Sequence, residues 1–146
     1  MQRQIITFQI DDKMLGVDIM AIREIRAWTP VTPIPHAPPY VRGVVNLRGT
    51  VLPVVDLSER LGWGAVEPSE RHVIIVVEID GQLVGLTVDC VNDIATIEAG
   101  GLQPPPDTGG ESLLEGLATV EDRMAMVLKL RYIGAGAAIA GLSEAA

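Results

Sequence analysis

The chain has 146 residues, a formal net charge of −8 and a hydrophobic fraction of 48%. That apolar content can fill a folded core, and the charge repels nucleic-acid phosphates and anionic lipid, which argues against a general polyanion binder. Five aromatic residues give no base-stacking platform, and the single cysteine, Cys90, excludes an internal disulfide and a cysteine-rich zinc site.

Ile5 to Ile10 reads as a strand, Asp11-Asp12-Lys13 as a turn, and Met14 to Val17 as the returning strand of a hairpin. Ile19, Ile22 and Ile25 recur three apart, with Arg23, Glu24 and Arg26 between them. That spacing predicts one face of a helix of about two turns, capped by Asp18. Pro30, Pro33, Pro35, Pro38 and Pro39 then leave room only for an extended connector. Two apolar runs flank Asn46-Leu47-Arg48-Gly49, which reads as a hairpin with Gly49 at positive φ. Pro53 falls inside the second run and is expected at an edge or a bulge. Asp56 is placed to cap a short helix, Leu57 to Leu61, stopped by Gly62.

His72 to Ile79 is a strand apolar on both faces, and Asp80-Gly81 is a two-residue hairpin signal leading into Gln82 to Val88. Val91 to Ile97 reads as a third strand of the same meander. Leu113 to Val120 and Met124 to Leu130 make a last hairpin around Glu121-Asp122-Arg123. Eight or nine short strands, punctuated by Gly and Pro, predict an all-β barrel or sandwich, and two small units packed together would bury both faces of His72–Ile79.

Chemistry leaves little trace. His36 and His72 have no neighbouring ligand in sequence, so both read as solvent-facing or capping residues, and no metal or cofactor is expected. Cys90, beside Asp89 and Asp93, lacks the positive setting that activates a thiol and reads as a small buried hydrophobe. Asp56 and Asp89 each close an apolar strand and read as caps or turn residues. No Gly-Lys-Ser/Thr follows the glycine pairs, so the phosphate-loop pattern is absent. There is no positive argument for an enzyme. The apolar residues left on short elements, rimmed by charge, fit a protein-docking surface, while for Ile19, Ile22 and Ile25 ordinary core packing fits as well.

The stretch Pro35-His36-Ala37-Pro38-Pro39-Tyr40-Val41-Arg42-Gly43-Val44-Val45-Asn46-Leu47-Arg48-Gly49-Thr50-Val51-Leu52-Pro53-Val54-Val55-Asp56-Leu57 resembles the signature of the CheW family of bacterial chemotaxis coupling proteins. Phe8, Gly16-Val17-Asp18-Ile19 and Ile22-Arg23-Glu24-Ile25-Arg26 are similar to the family's opening elements. Gly85-Leu86-Thr87-Val88-Asp89 with Val91-Asn92-Asp93-Ile94 is similar to a later segment, and Asp122-Arg123-Met124 to its last turn. The resemblance runs from residue 4 to about 133. It departs at Lys129-Leu130, where many members carry Leu-Asp, and it ends before the Gly/Ala-rich tail.

The resemblance implies two packed SH3-like five-stranded β-barrel subdomains with short helices, within one domain over residues 1–133. Residues 134–146 would be a tail forming a frayed helix at most. It implies a non-catalytic cytoplasmic adaptor at receptor arrays, coupling the tips of chemoreceptors to the regulatory domain of the histidine kinase CheA, without nucleic acid or membrane insertion. A stand-alone β-barrel module that binds a small ligand or acts as an enzyme is the alternative. Carried over by matching segment, the receptor-binding groove takes Ile19, Ile22, Glu24, Gly43, Arg48, Ile74 and Gly85, and the kinase-binding edge takes Ile25 and Val31. Gly43 and Gly85 are expected either to let a partner helix approach closely or to be bulge positions. Arg48 has two readings: it reaches a partner's acid, or it folds back bidentately on Glu24.

Overall fold

A computed structural model describes residues 2–65, 67, 69–98, 100–104 and 113–133. The first hairpin is β1 (Gln2–Ile10) and β2 (Lys13–Asp18). The Asp18 carboxylate then accepts from the Met20 N–H at 2.8 Å and caps a single 3-10 turn, Ile19–Ala21. The expected two-turn helix does not follow. Ile22–Ala27 is instead strand β3, paired antiparallel with β6 (Val73–Ile79).

The three-residue spacing that reads as helical has another cause. A β-bulge lies between Ile22 and Glu24, so that Ile22 stands opposite Val77 and Ile25 opposite Ile75. One extra residue turns the strand period of two into an interval of three, and both isoleucines fall on the same face of the sheet.

The connector after β3 closes against sheet edges. Trp28 N–H donates to the His72 carbonyl at 3.1 Å, and Thr32 exchanges two backbone hydrogen bonds with Val44, each 2.9 Å. Strands β4 (Val41–Leu47) and β5 (Thr50–Asp56) form the second hairpin, and Asp56 caps helix α1 (Leu57–Arg60) by accepting from Glu59 N–H. Pro53 is not at an edge, because β5 lies between β4 and β7 (Gln82–Val88). It sits opposite Val44, whose backbone groups are both committed to Thr32, and the parallel pairing of β5 with β7 starts only at Val54. The missing N–H of Pro53 therefore falls where the ladder needs no donor.

Strand β8 (Cys90–Glu98) leaves the meander and pairs with β1, after the Asp89 N–H has donated to the Gln9 carbonyl. Strands β9 (Leu114–Val120) and β10 (Arg123–Leu128) and the short helix α2 (Leu130–Ile133) complete the described chain. The result is two five-stranded sheets, ordered β8-β1-β2-β10-β9 and β3-β6-β7-β5-β4. The second sheet is built wholly from the middle of the chain. The first is opened by its start and closed by its end. Arg60 on α1 donates to the carbonyls of Ile133 and Tyr132, at 3.1 and 2.6 Å, and ties the two halves together.

Three cores result. Phe8, Ile10, Leu15 and Val17 from the first sheet meet Ile75, Val77, Leu86 and Val88 from the second. Val45, Leu47, Leu52, Val54, Ile74 and Val76 pack on the other face of the second sheet. Ile5, Ile97, Ala118 and Val127 fill the inside of the first. Strand β6 is thus buried on both faces, as its sequence predicts. Cys90 is exposed, not buried: it stands on an outer strand that turns several residues to solvent. The tail at 134–146 lies outside the described residues.

Candidate protein-docking site

The site grows from the turn between β4 and β5. Arg48 and Gly49 both have positive φ, at 52° and 88°, and Asn46 Oδ1 accepts from the Gly49 N–H at 2.9 Å. Two successive left-handed residues make the tight primed turn whose twist matches a hairpin. A left-handed arginine is uncommon, and it carries a backbone cost of about 1–2 kcal/mol.

Beyond the bulge, Glu24 stands opposite Val76 and Arg26 opposite Ile74, both on the inner face of the second sheet. Arg48 closes on Glu24 with two hydrogen bonds, Nη1 to Oε1 at 3.2 Å and Nη2 to Oε2 at 2.8 Å. Arg26 Nη1 donates to the same Oε1 at 3.1 Å. Of the two readings of Arg48, the bidentate internal pair is therefore the one in the structure. The Arg48 side chain is 74% exposed, so the pair is a surface one and the large penalty for a buried unpaired charge does not apply. The hydrogen bonds from Arg48 hold the Glu24 carboxyl below its ordinary range, against the opposing effect of desolvation, and Arg26 adds a smaller pull in the same direction. Glu24 in turn raises the Arg48 guanidinium.

The other expected residues divide. Glu24, Gly85 and Gly43 lie on one row across the whole second sheet, through the pairs Glu24–Val76, Val76–Gly85, Gly85–Val54 and Val54–Gly43. Yet Gly43 and Gly85 are buried by this chain itself. A Cβ on Gly43 would stand 2.2 Å from the Thr32 carbonyl oxygen, and one on Gly85 would stand 2.9 Å from Ile74 Cγ2. The close approach that these glycines permit is thus to the connector and to the core, not to a partner helix, and Gly43 adjoins a bulge with φ of 151°. Ile74 is core as well. Ile19 and Ile22 are half-buried, and Ile22 packs on the core between the sheets. Ile25 is 42% exposed, while Val31 is half-buried against the inner core of the second sheet.

Three pairs escape the sequence. Arg26 belongs to the Glu24 cluster. Its signal was the two-residue interval from Glu24, which means one face on a strand but not on a helix. Asp56, nearly buried, takes an ion pair from Arg42 at 2.5 Å while it caps α1. His72 Nε2 lies 3.4 Å from Asp89 Oδ1, and Asp89 Oδ2 accepts from the Asp11 N–H, so Asp89 joins the two sheets where the chain crosses between them.

The family model for the CheW-like domain matches residues 4–135. The chain belongs to the CheW family. It is 50% identical over 131 residues to the chemotaxis protein CheW of Rhizobium meliloti, covering 88% of this chain and 84% of that one. The probable chemotaxis protein CheW of Rhizobium etli is 44% identical over 134 residues, covering 90% of this chain and 86% of that one. Among solved structures, the scaffolding protein TtCheW from Thermoanaerobacter tengcongensis superposes with a TM-score of 0.80 at 36% identity, covering 91% of this chain and 88% of that one. The CheW family consists of non-catalytic scaffold proteins of chemotaxis, so this chain is a scaffold and not an enzyme. Among the described residues no helix is long and apolar enough to cross a membrane.

Proposed function

We propose that this CheW-family scaffold couples the cytoplasmic tips of chemoreceptors to the regulatory domain of CheA, at receptor arrays in the cytoplasm. The observation that carries the reading is the outer strand β3, which presents Glu24, paired with Arg48, on one face and the half-buried Ile22 and the exposed Ile25 on the other, next to the half-buried Ile19 that precedes it in the chain. Apolar anchors beside charged groups are the usual anatomy of a protein interface.

On the receptor side, Ile19, Ile22, Glu24 and Arg48 would meet the incoming helix, with Gly43, Ile74 and Gly85 as the buried bed that shapes the sheet beneath them. A helix laid across a groove reads as a few apolar anchors on one face, which Ile22 would receive. On the kinase side, Ile25 and Val31 would offer an apolar edge to the regulatory domain, a fold of the same kind that can pair pseudo-symmetrically.

The test is titration of the full chain with a soluble receptor cytoplasmic fragment and, separately, with the CheA regulatory domain. Saturable binding to both, with a ternary complex on mixing, is expected. Binding to neither would overturn the coupling role.

A further inference from the structure

Glu24 is one carboxylate shared by two cations. Its Oε1 accepts from Arg26 at 3.1 Å and from Arg48 at 3.2 Å, and its Oε2 accepts from Arg48 at 2.8 Å. Two guanidiniums and one carboxylate leave a surplus positive charge, on a chain whose net charge is −8. That surplus sits at a surface turn.

The two arginines differ in how firmly they are held. Arg48 is 74% exposed and is carried on a two-residue turn. Arg26 is 34% exposed and is carried on β3, whose backbone is paired to β6. Among the described residues the side chain of Arg26 has one hydrogen-bond partner, Glu24, and its buried Nε has none. A guanidinium offers five donors in a rigid fork, so Arg26 has unspent capacity for the carboxylate already touching it. Arg26 also lines a cleft of about 280 Å³ with Thr29, Pro30, Thr32 and Asn46, beside the turn that carries Arg48.

We propose that Arg48 is an exchangeable docking cation: on binding, its guanidinium leaves Glu24 for a carboxylate on the partner, and Arg26 takes over as the counter-ion of Glu24. The partner is thereby defined by chemistry as a surface that presents an Asp or Glu side chain at this turn. Arg26 is a positioning residue in this scheme. Without it, release of Arg48 would leave the partly exposed Glu24 carboxylate with no counter-ion, and the loss of that surface pair would be subtracted from binding. With it, one bidentate ion pair is exchanged for another, and the surplus charge is neutralised by the partner. The inference rests on the reading of this face as a receptor-docking surface.

Two arms separate the exchange from that reading. The first needs no partner. In Arg48→Gln, carbon-detected NMR should find the Glu24 carboxyl still titrating below its ordinary value, and the Arg26 guanidinium should rotate more slowly about its Cζ–Nε bond than in the wild type. A Glu24 that returns to the ordinary value with an unchanged Arg26 overturns the takeover. The second arm titrates a receptor cytoplasmic fragment into the full chain. Arg48→Gln and Arg26→Gln should each weaken binding about tenfold, with Arg26→Lys recovering most of the loss because a charge remains. Binding by the wild type with Arg26→Gln unaffected would overturn the exchange and leave the docking reading standing. Failure of the wild type to bind would overturn the receptor reading and the docking role together, while the first arm still decides whether Arg26 replaces Arg48.

Discussion

A Cβ built on Gly85 would stand 2.9 Å from Cγ2 of Ile74, inside a core that Val54 and Leu52 close from the other side. Gly85 is central in the second sheet and Ile74 is 1% exposed. Any side chain at this glycine must displace packed β-branched neighbours, not an approaching partner. Gly85→Ala should therefore destabilise the chain by about 1–3 kcal/mol through overpacking, and Gly85→Arg by more. Thermal or urea unfolding of the isolated protein reads this directly. A Gly85→Arg protein with wild-type stability would return Gly85 to the docking surface.

The pH dependence of the Glu24 cluster has a defined sign. Arg48, and then Arg26, hold the Glu24 carboxyl below the ordinary value of 4.5 in the folded chain. A carboxyl depressed on folding contributes stability that is fully present above its unfolded value and is lost as pH falls through the folded one. The double-mutant coupling of Arg48→Ala with Glu24→Ala should accordingly be measurable near neutral pH and vanish in acid below the lowered value. Coupling that persists unchanged into acid would mean that the two residues interact through packing instead of charge.

Asp56 is the acid whose loss the fold should feel most. It is 3% exposed, takes an ion pair from Arg42 and accepts from the Glu59 N–H to cap α1. Asp56→Ala removes the cap and the charged hydrogen bond together, and it should cost about 2–4 kcal/mol. Asp56→Asn keeps a capping oxygen and should cost less than Asp56→Ala. Equal losses in the two variants would assign the whole effect to the ion pair.

The hairpin turns were legible because their chemistry is local. Asp80-Gly81 and Arg48-Gly49 are tight turns with positive φ at both residues, and Asp56 caps the helix expected of it. Sheet membership was not legible, because it depends on partners distant in the chain. Thr7 Oγ1 donates to the Asp93 carbonyl across 86 positions, and nothing in the run from Val91 to Ile97 says that it will pair with β1 instead of β7. The segment from Ile19 to Arg26 misled for a physical reason: a bulge gives Ile22 and Ile25 the interval of a helix. The same misreading hid Arg26, since residues two apart on a helix do not share a face. The pairing of Arg48 with Glu24 came from family resemblance, whereas its bidentate geometry and its exposure needed the coordinates.

The two residues assigned to the kinase side make different predictions, because they are buried to different degrees. Ile25 is 42% exposed and sits on β3, an outer strand of the second sheet. Val31 is half-buried and packs on the cluster that holds Val45 and Leu52. Ile25→Glu places a charge where a side chain already meets water, so the melting temperature should hold within a few degrees while affinity for the CheA regulatory domain falls by about tenfold or more. Val31→Glu pushes a carboxylate against an apolar core, which costs stability in the free protein and confounds any loss of binding. Val31→Ala is the cleaner probe: it removes about two methylene equivalents of apolar contact, on the order of 1–2 kcal/mol, without burying a charge. If Ile25→Glu leaves kinase affinity untouched while the chain stays folded, β3 is not the kinase-facing edge. If Ile25→Glu unfolds the chain, Ile25 is part of the core despite its exposure, and the same experiment removes it from the docking surface.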